Sequence, residues 1–214
     1  MCADLSPRLR ELPERPEAVP VSAWHGFFAD PDGFAGHLAR AAVALTGAQA
    51  RDWLTAHRAK YPAGIPGTTA YVAHAELRHR FLFTGPVRAS GALTAADAVT
   101  EWSELAWWQA MLALHVAAVF GADPTDPARV RDLLALWRVR GEPPPAGDFP
   151  APDEARLREL TPRLAVSLGR LTGRRGSRQT EFVPDPTCGT LRQFDARTLM
   201  PLANRAVKHF RAIV

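Results

Sequence analysis

Thr94–Gly121, TAADAVTEWSELAWWQAMLALHVAAVFG, is the longest helical signal in the chain and indicates the fold class. It has no proline and no glycine before Gly121, which is a typical helix C-cap, and alanine and leucine recur throughout. Its apolar run, Leu105–Phe120, is shorter than the roughly 20 residues that span a bilayer. The stretch therefore predicts a long apolar helix over about 94–121, at the centre of an all-α helical bundle and not across a membrane.

The composition of the whole chain agrees with a helical protein that buries a core. Of its 214 residues, 47% are hydrophobic and 22% are charged, which are ordinary values for a globular protein. Isoleucine occurs only at positions 65 and 213, and the scarcity of β-branched runs disfavours a sheet. Cys2 and Cys188 are too few for a disulfide framework or a cysteine-rich zinc site. Together with an N-terminus that lacks an apolar signal segment, they favour a cytoplasmic location.

Proline and glycine divide the chain into an arm and a single helical domain. Residues 1–22 are proline-rich and charged and are interpreted as a flexible arm, followed by a domain over 23–214. Gly47 is predicted to end one helix and Pro201 to interrupt another. The proline-rich segment Gly141–Pro152 is interpreted as a loop within the domain, and residues 173–190 as irregular. Besides the central helix, the predicted helices lie at about 30–45, 48–60, 68–83, 128–139, 153–173 and 194–213.

An acidic stripe on the central helix is the candidate catalytic site. Asp97, Glu101, Glu104 and His115 fall on one side of the helix, together with Trp108 and Met111. If the stripe is buried, repulsion between the carboxylates raises at least one pKa, and a protonated carboxyl facing an apolar cavity is a general acid. The alternative is that Asp97, Glu101 and Glu104 form the solvated face of an amphipathic helix, near the positive end of its dipole.

Aromatic and polar neighbours of the stripe are the candidate ligand-binding residues. Indole faces can stabilise a cationic intermediate. The residues of this set are Trp102, Trp107, Trp108, Gln109 and Met111.

Other motifs give no catalytic signature. Glu76 and His79 form an E-x-x-H, but no second copy follows to complete a di-iron set, so a surface helix face is the simpler interpretation. The loop Gly173–Ser177 lacks the lysine of a P-loop, and no nucleophile elbow or dinucleotide fingerprint occurs. The sequence predicts no metal site, no cofactor and no nucleic-acid partner.

Three segments resemble the EcsC family. In that family an apolar helix with an aromatic-Gln pair ends in a Gly-x-Asp-x-x-x-Pro turn before a leucine-rich helix. The matching segments here are Glu104–Met111, Leu114–Pro127 and Leu133–Leu136, and weaker similarity extends over most of the chain after about residue 28. The resemblance implies a helical protein that is cytoplasmic or peripheral at the membrane, and it brings no catalytic residues. Residues 83–88 and 181–186 are more polar than the family pattern, which favours a soluble form.

Two classes of function stay open at the level of sequence. The first is a noncatalytic EcsC-like protein that binds an apolar small molecule, an anionic membrane surface or a partner. Residues 151–214 hold twelve Arg or Lys and six Asp or Glu, a net charge of +6 that suits an anionic surface, although a solvated helix face is the simpler interpretation. The second is an enzyme that uses the acidic stripe for cyclase- or isomerase-type acid–base chemistry on an apolar, isoprenoid-like substrate.

Overall fold

The computed structural model describes residues 19–84, 95–145, 147–172 and 188–213, and all regular structure in these ranges is helical. The predicted all-α bundle is confirmed. Seven helices follow one another in the described ranges: α1 (Val21–Ala29), α2 (Phe34–Lys60), α3 (Pro66–Thr84), α4 (Ala95–Val119), α5 (Arg129–Leu136), α6 (Glu154–Leu171) and α7 (Cys188–Ile213).

Helix α4 is the centre of the bundle, as its sequence predicts. It packs against α2, α3, α6 and α7, and every residue from Leu105 to Val119 is buried. A helix that is apolar on all sides is stable in water only when other helices surround it. Gly121 follows it with a φ of 89°, and the N–H groups of Gly121 and Ala122 donate to the carbonyls of Ala118 and Ala117. This pair of bonds is a Schellman cap, so the predicted C-cap is confirmed.

Helix α2 corrects the prediction that Gly47 ends a helix. The helix runs without a break from Phe34 to Lys60, and Gly47 is buried in its interior. A β-carbon at Gly47 would lie 2.5 Å from the carbonyl oxygen of Pro124, which belongs to the loop between α4 and α5. Glycine stands at this position because another segment of backbone passes close to the helix, and not because the helix ends.

The two ends of the chain differ from the prediction in different ways. Residues 21 and 22, assigned to the flexible arm, begin α1, which buries Trp24, Phe27 and Phe28; residues 1–18 of the arm lie outside the described part. Helix α7 begins at Cys188 rather than near Phe194 and continues through Pro201. Proline removes one backbone N–H donor from a helix, but packing of Leu199, Leu202 and other residues against the core holds the chain helical there. Residues 173–187 of the predicted irregular segment lie outside the described ranges.

The proline-rich connector between α5 and α6 packs on α2. The guanidinium of Arg40 donates to the carbonyl of Pro144, and a β-carbon at Gly36 would collide with the ring of the same proline. The rings of His37 and Phe149 meet edge to face with centroids 4.9 Å apart. These contacts fix the path of the chain into α6.

None of the helices in the described ranges is both long enough and apolar enough to cross a membrane. The buried apolar residues form one contiguous core from Val19 to Phe210.

Candidate functional site

The predicted acidic stripe of α4 passes through two different environments. Asp97, Glu101 and Glu104 lie in the first three turns and are partly buried, whereas His115 lies in the fully buried half of the helix. Glu104 and His115 are eleven residues apart, which is about 16 Å along an α-helix at 1.5 Å per residue. The structure therefore places the three carboxylates on adjacent turns but does not bring His115 to them.

The predicted ligand-binding residues lie mostly within the core. Trp107, Trp108, Gln109 and Met111 are buried, and only Trp102 is partly exposed. The rings of Trp108 and Phe81 pack edge to face with centroids 5.7 Å apart, which holds α3 against α4. These side chains are covered by the protein itself, and their role in ligand binding stays a prediction.

Gln109 makes a specific structural contact. Its side-chain oxygen accepts a hydrogen bond of 3.1 Å from the indole N–H of Trp137, which follows the last residue of α5. Both side chains are buried, so each satisfies a polar group of the other that burial would otherwise leave unpaired. The aromatic-Gln pair that carries part of the family resemblance thus fastens α4 to the end of α5.

His115 is a buried base between α2, α3 and α4. Its Nδ1 lies 2.7 Å from the carbonyl oxygen of Met111, an acceptor, so Nδ1 carries the proton and Nε2 of the neutral ring does not. Burial lowers the pKa of His115, which keeps the ring neutral at pH 7. The ring meets Trp53 at a centroid distance of 5.4 Å, and the Trp53 indole N–H donates to Glu76 at 2.7 Å. The arrangement offers one unprotonated imidazole nitrogen beneath an indole.

Trp53 also begins a row of rings along the C-terminal half of α2. Its indole stacks on His57 at 5.0 Å, and His57 lies 5.0 Å from the ring of Tyr61. The ammonium of Lys60 lies 5.4 Å from the centre of the Tyr61 ring. The spacing of four residues places the three rings on one helix face, and the row leads from the core to the end of the bundle.

The turn between α2 and α3 and the second turn of α3 expose large apolar side chains near the cations at the end of α2, and we call this set of residues the aromatic corner. Tyr61, Ile65 and Tyr71 are 50%, 69% and 65% exposed, and they lie within eleven residues of each other. Arg58 and Lys60 flank them, and no Asp or Glu occurs from His57 to Ala75. The aromatic corner is defined here as Arg58, Lys60, Tyr61, Ile65 and Tyr71.

The C-terminal turn of α7 lies next to the aromatic corner. The guanidinium of Arg211 stands over the ring of Phe120 at 5.9 Å, and a β-carbon at Gly67 would lie 3.8 Å from its Nη2. The end of α4, the start of α3 and the end of α7 therefore meet. Lys208, Arg211 and Ile213, the last 53% exposed, add two cations and an apolar side chain to this end of the molecule.

The aromatic corner is not among the predicted sites, although the sequence holds a signal for it. The turn Tyr61-Pro62-Ala63-Gly64-Ile65-Pro66-Gly67 holds two large apolar residues among helix breakers, where a polar turn is usual. In the described part of the chain, no group of three or more His, Cys, Asp or Glu side chains is placed to hold a metal ion. Glu76 and His79 of the E-x-x-H are both exposed on α3.

Comparison with protein-family models, curated proteins and solved structures finds no match to this chain. The resemblance to the EcsC family therefore stays a prediction, carried by the residues quoted for it.

Proposed function

We propose that this protein binds anionic membrane surfaces peripherally, through the aromatic corner and the adjacent C-terminal turn of α7. The observation that carries the proposal is the exposure of Tyr61, Ile65 and Tyr71 beside Arg58 and Lys60. Tyrosine rings prefer the headgroup region of a bilayer, and exposed apolar side chains gain free energy when they enter it. A cation near an anionic surface contributes about 1 kcal/mol.

The distribution of exposed apolar side chains supports the same surface. Among the described residues, eight large hydrophobic side chains are exposed, and Tyr61, Ile65, Tyr71 and Ile213 lie at this one end. The others are spread over the rest of the molecule, at Val21, Leu45, Val166 and Met200. Single exposed apolar residues need no explanation, whereas a group flanked by cations fits a lipid surface.

Vesicle flotation tests the proposal. The parent protein is expected to float with phosphatidylcholine vesicles that contain phosphatidylglycerol, and to float poorly with phosphatidylcholine alone. High salt is expected to release most of it, because screening weakens the attraction between cations and headgroups. Failure to float with the anionic vesicles at low salt would overturn the proposal.

A matched pair of variants tests whether vesicle binding depends on the aromatic corner or on exposed apolar side chains in general. Tyr61→Ser with Ile65→Ser removes the apolar part of the aromatic corner and is expected to abolish flotation. Leu45→Ser with Val166→Ser removes two side chains of comparable exposure, 58% and 55%, that are not part of the aromatic corner, and is expected to leave flotation unchanged. All four positions are exposed, so neither variant empties the core. Equal loss in both variants would contradict a specific docking surface.

The alternative function, acid–base catalysis on an apolar substrate, stays a prediction. Partial burial of Asp97, Glu101 and Glu104 is compatible with it. The separation of about 16 Å between Glu104 and His115 argues that these two residues do not act on the same atoms.

A further inference from the structure

The imidazole of His57 lies in the row of rings that leads to the aromatic corner. It stacks on the indole of Trp53 with centroids 5.0 Å apart and an angle of 20° between the planes, and the ring of Tyr61 lies 5.0 Å away on the next turn. The side chain of His57 is partly exposed. An aromatic face attracts a cation that lies within about 6 Å of the ring centroid. The stack therefore places His57 where the indole face can hold an imidazolium.

A proton on His57 adds to the positive charge of this end of the molecule. Arg58 and Lys60 follow it on α2, and Nη2 of Arg211 on α7 lies 3.8 Å from the place of a β-carbon at Gly67, at the start of α3. Within the described ranges, no Asp or Glu carboxylate lies within ion-pair distance of His57. The charge of an imidazolium here is therefore not cancelled by an ion pair and is available to an anionic surface.

The titratable groups that α3 and α4 bring to this row differ from His57. Glu76 of α3 contacts the row, but its carboxylate accepts the indole N–H of Trp53 at 2.7 Å. His74 of α3 and His115 of α4 are buried, and burial lowers the pKa of both rings. These two rings take up a proton only at a lower pH than an ordinary histidine does. Of the three histidines, His57 is the one that solvent and a membrane surface can reach.

We propose that acidification strengthens the docking of this protein on anionic membranes, through protonation of His57 beside the aromatic corner. The inference rests on the proposed membrane function and adds its regulation by pH. Histidine is the side chain whose charge commonly changes between about pH 5 and pH 8. One additional cation close to an anionic surface corresponds to about fivefold tighter partition onto the membrane.

Partition of the full chain onto vesicles at two pH values tests the regulation. The vesicles contain phosphatidylcholine and phosphatidylglycerol, whose phosphodiester is ionised at both about pH 5.5 and about pH 8, and the ionic strength is held constant. The partition constant of the parent is expected to be about fivefold higher at the lower pH. Equal binding at both pH values would overturn the regulation and leave the membrane function standing, whereas absence of binding at both would overturn both proposals.

Replacement of His57 by glutamine separates this ring from the other histidines. His57→Gln keeps a polar side chain but cannot take up a proton, so it is expected to bind to the same extent at both pH values. Retention of the full increase on acidification in His57→Gln would overturn the assignment to His57.

Replacement of His57 by lysine places a permanent cation at the same position. His57→Lys is expected to bind about fivefold more tightly than the parent at about pH 8, with no further increase on acidification. The comparison with the parent is made at about pH 8, so a loss of native structure in acid does not affect it. Binding no tighter than that of the parent would overturn the proposal.

Ala44→Lys is the matched control for the added charge. Ala44 is exposed on the same helix, thirteen residues before His57, which is about 20 Å along the helix. This distance exceeds the Debye length of about 10 Å at ordinary ionic strength, so the control is expected to bind within about twofold of the parent at about pH 8. A gain in Ala44→Lys equal to that in His57→Lys would show that net charge alone, and not the position of His57, controls docking.

Discussion

At the scale of single residues, two glycines of this protein serve different purposes. Gly47 lies under the loop after α4, and a β-carbon there would meet the Pro124 carbonyl oxygen at 2.5 Å and Thr125 Cα at 3.1 Å. Gly67 lies in the first turn of α3, where the nearest atom to a β-carbon is 3.8 Å away, at the flexible end of Arg211. Only the first position is closed to a side chain, because backbone atoms cannot move aside.

The two glycines are expected to differ in how a change to alanine affects the free energy of unfolding. Gly47→Ala is expected to lower the free energy of unfolding by about 1–3 kcal/mol, as overpacking in a core does. Gly67→Ala is expected to leave it unchanged or to raise it by up to about 1 kcal/mol, because alanine is the better helix former. Urea unfolding of the two variants measures both values. A Gly47→Ala protein as stable as the parent would contradict the close approach of the two backbone segments.

Two residues show how contacts between distant segments limit prediction from the sequence. The prediction that Gly47 ends a helix is wrong, because its close neighbour Pro124 is distant in sequence. The ligand-binding role of Gln109 stays a prediction, and the sequence does not indicate its hydrogen bond with Trp137, which lies 28 residues further on. A local sequence pattern does not reveal a partner that only the folded chain brings close.

At the scale of helices, the bounds predicted from the sequence are most accurate for the long segment that contains no helix-breaking residue. The predicted central helix over about 94–121 agrees with α4, Ala95–Val119, because its apolar residues leave no side for water and no breaker interrupts them. The predicted breaks at Gly47 and Pro201 are absent. Both residues disfavour a helix by amounts that burial of neighbouring apolar side chains exceeds.

The start of α6 is a helix end that a side chain stabilises. Asp153 is its N-cap, and the carboxylate accepts a hydrogen bond of 2.7 Å from the backbone N–H of Arg156. An aspartate at this position also faces the positive end of the helix dipole.

Loss of this cap has a predictable cost. Asp153→Ala is expected to lower the free energy of unfolding by about 1 kcal/mol, and Asp153→Asn by less, because an amide oxygen still accepts the hydrogen bond. Asp148→Ala, a change of the same charge in the exposed connector, serves as the control and is expected to have little effect. Thermal and urea unfolding measure the differences. A loss in the control equal to that in Asp153→Ala would show that charge, and not capping, is responsible.

At the scale of the whole molecule, three buried histidines make stability depend on pH. Burial lowers the pKa of His37 in α2, His74 in α3 and His115 in α4 below the ordinary 6.5. As the pH falls through 6.5, the unfolded chain takes up protons that the native protein does not, so the native state loses stability. Asp123, whose pKa is lowered by hydrogen bonds from Thr125, acts in the same direction only around and below 3.8.

The expected result is a free energy of unfolding that decreases with falling pH from about 6.5 downward, each histidine adding up to about 1.4 kcal/mol per pH unit. His115→Gln is expected to reduce this slope, whatever its effect on absolute stability. Urea unfolding at a series of pH values measures the slopes, and an unchanged slope in His115→Gln would contradict a neutral, desolvated His115.

At the scale of the whole molecule, the candidate site was less predictable than the fold because it depends on how the helices pack together. Helical periodicity groups the stripe on α4, but it does not reveal that the three carboxylates are partly buried whereas His115 is fully buried. The aromatic corner depends on which helix ends meet, as Arg211, Phe120 and Gly67 do. Which helix ends contact each other is a property of the assembled bundle, and the sequence of a single segment does not indicate it.

The central position of α4 has a consequence for folding of the chain during its synthesis. Its buried surface is covered in part by α6 and α7, which are synthesised after it. Until those helices have left the ribosome, the stretch Leu105–Val119 has only earlier segments to cover it, and exposed apolar helices of nascent chains are bound by chaperones. A chain stopped within the connector at 141–152 would leave one side of α4 open and would be a target for proteolysis.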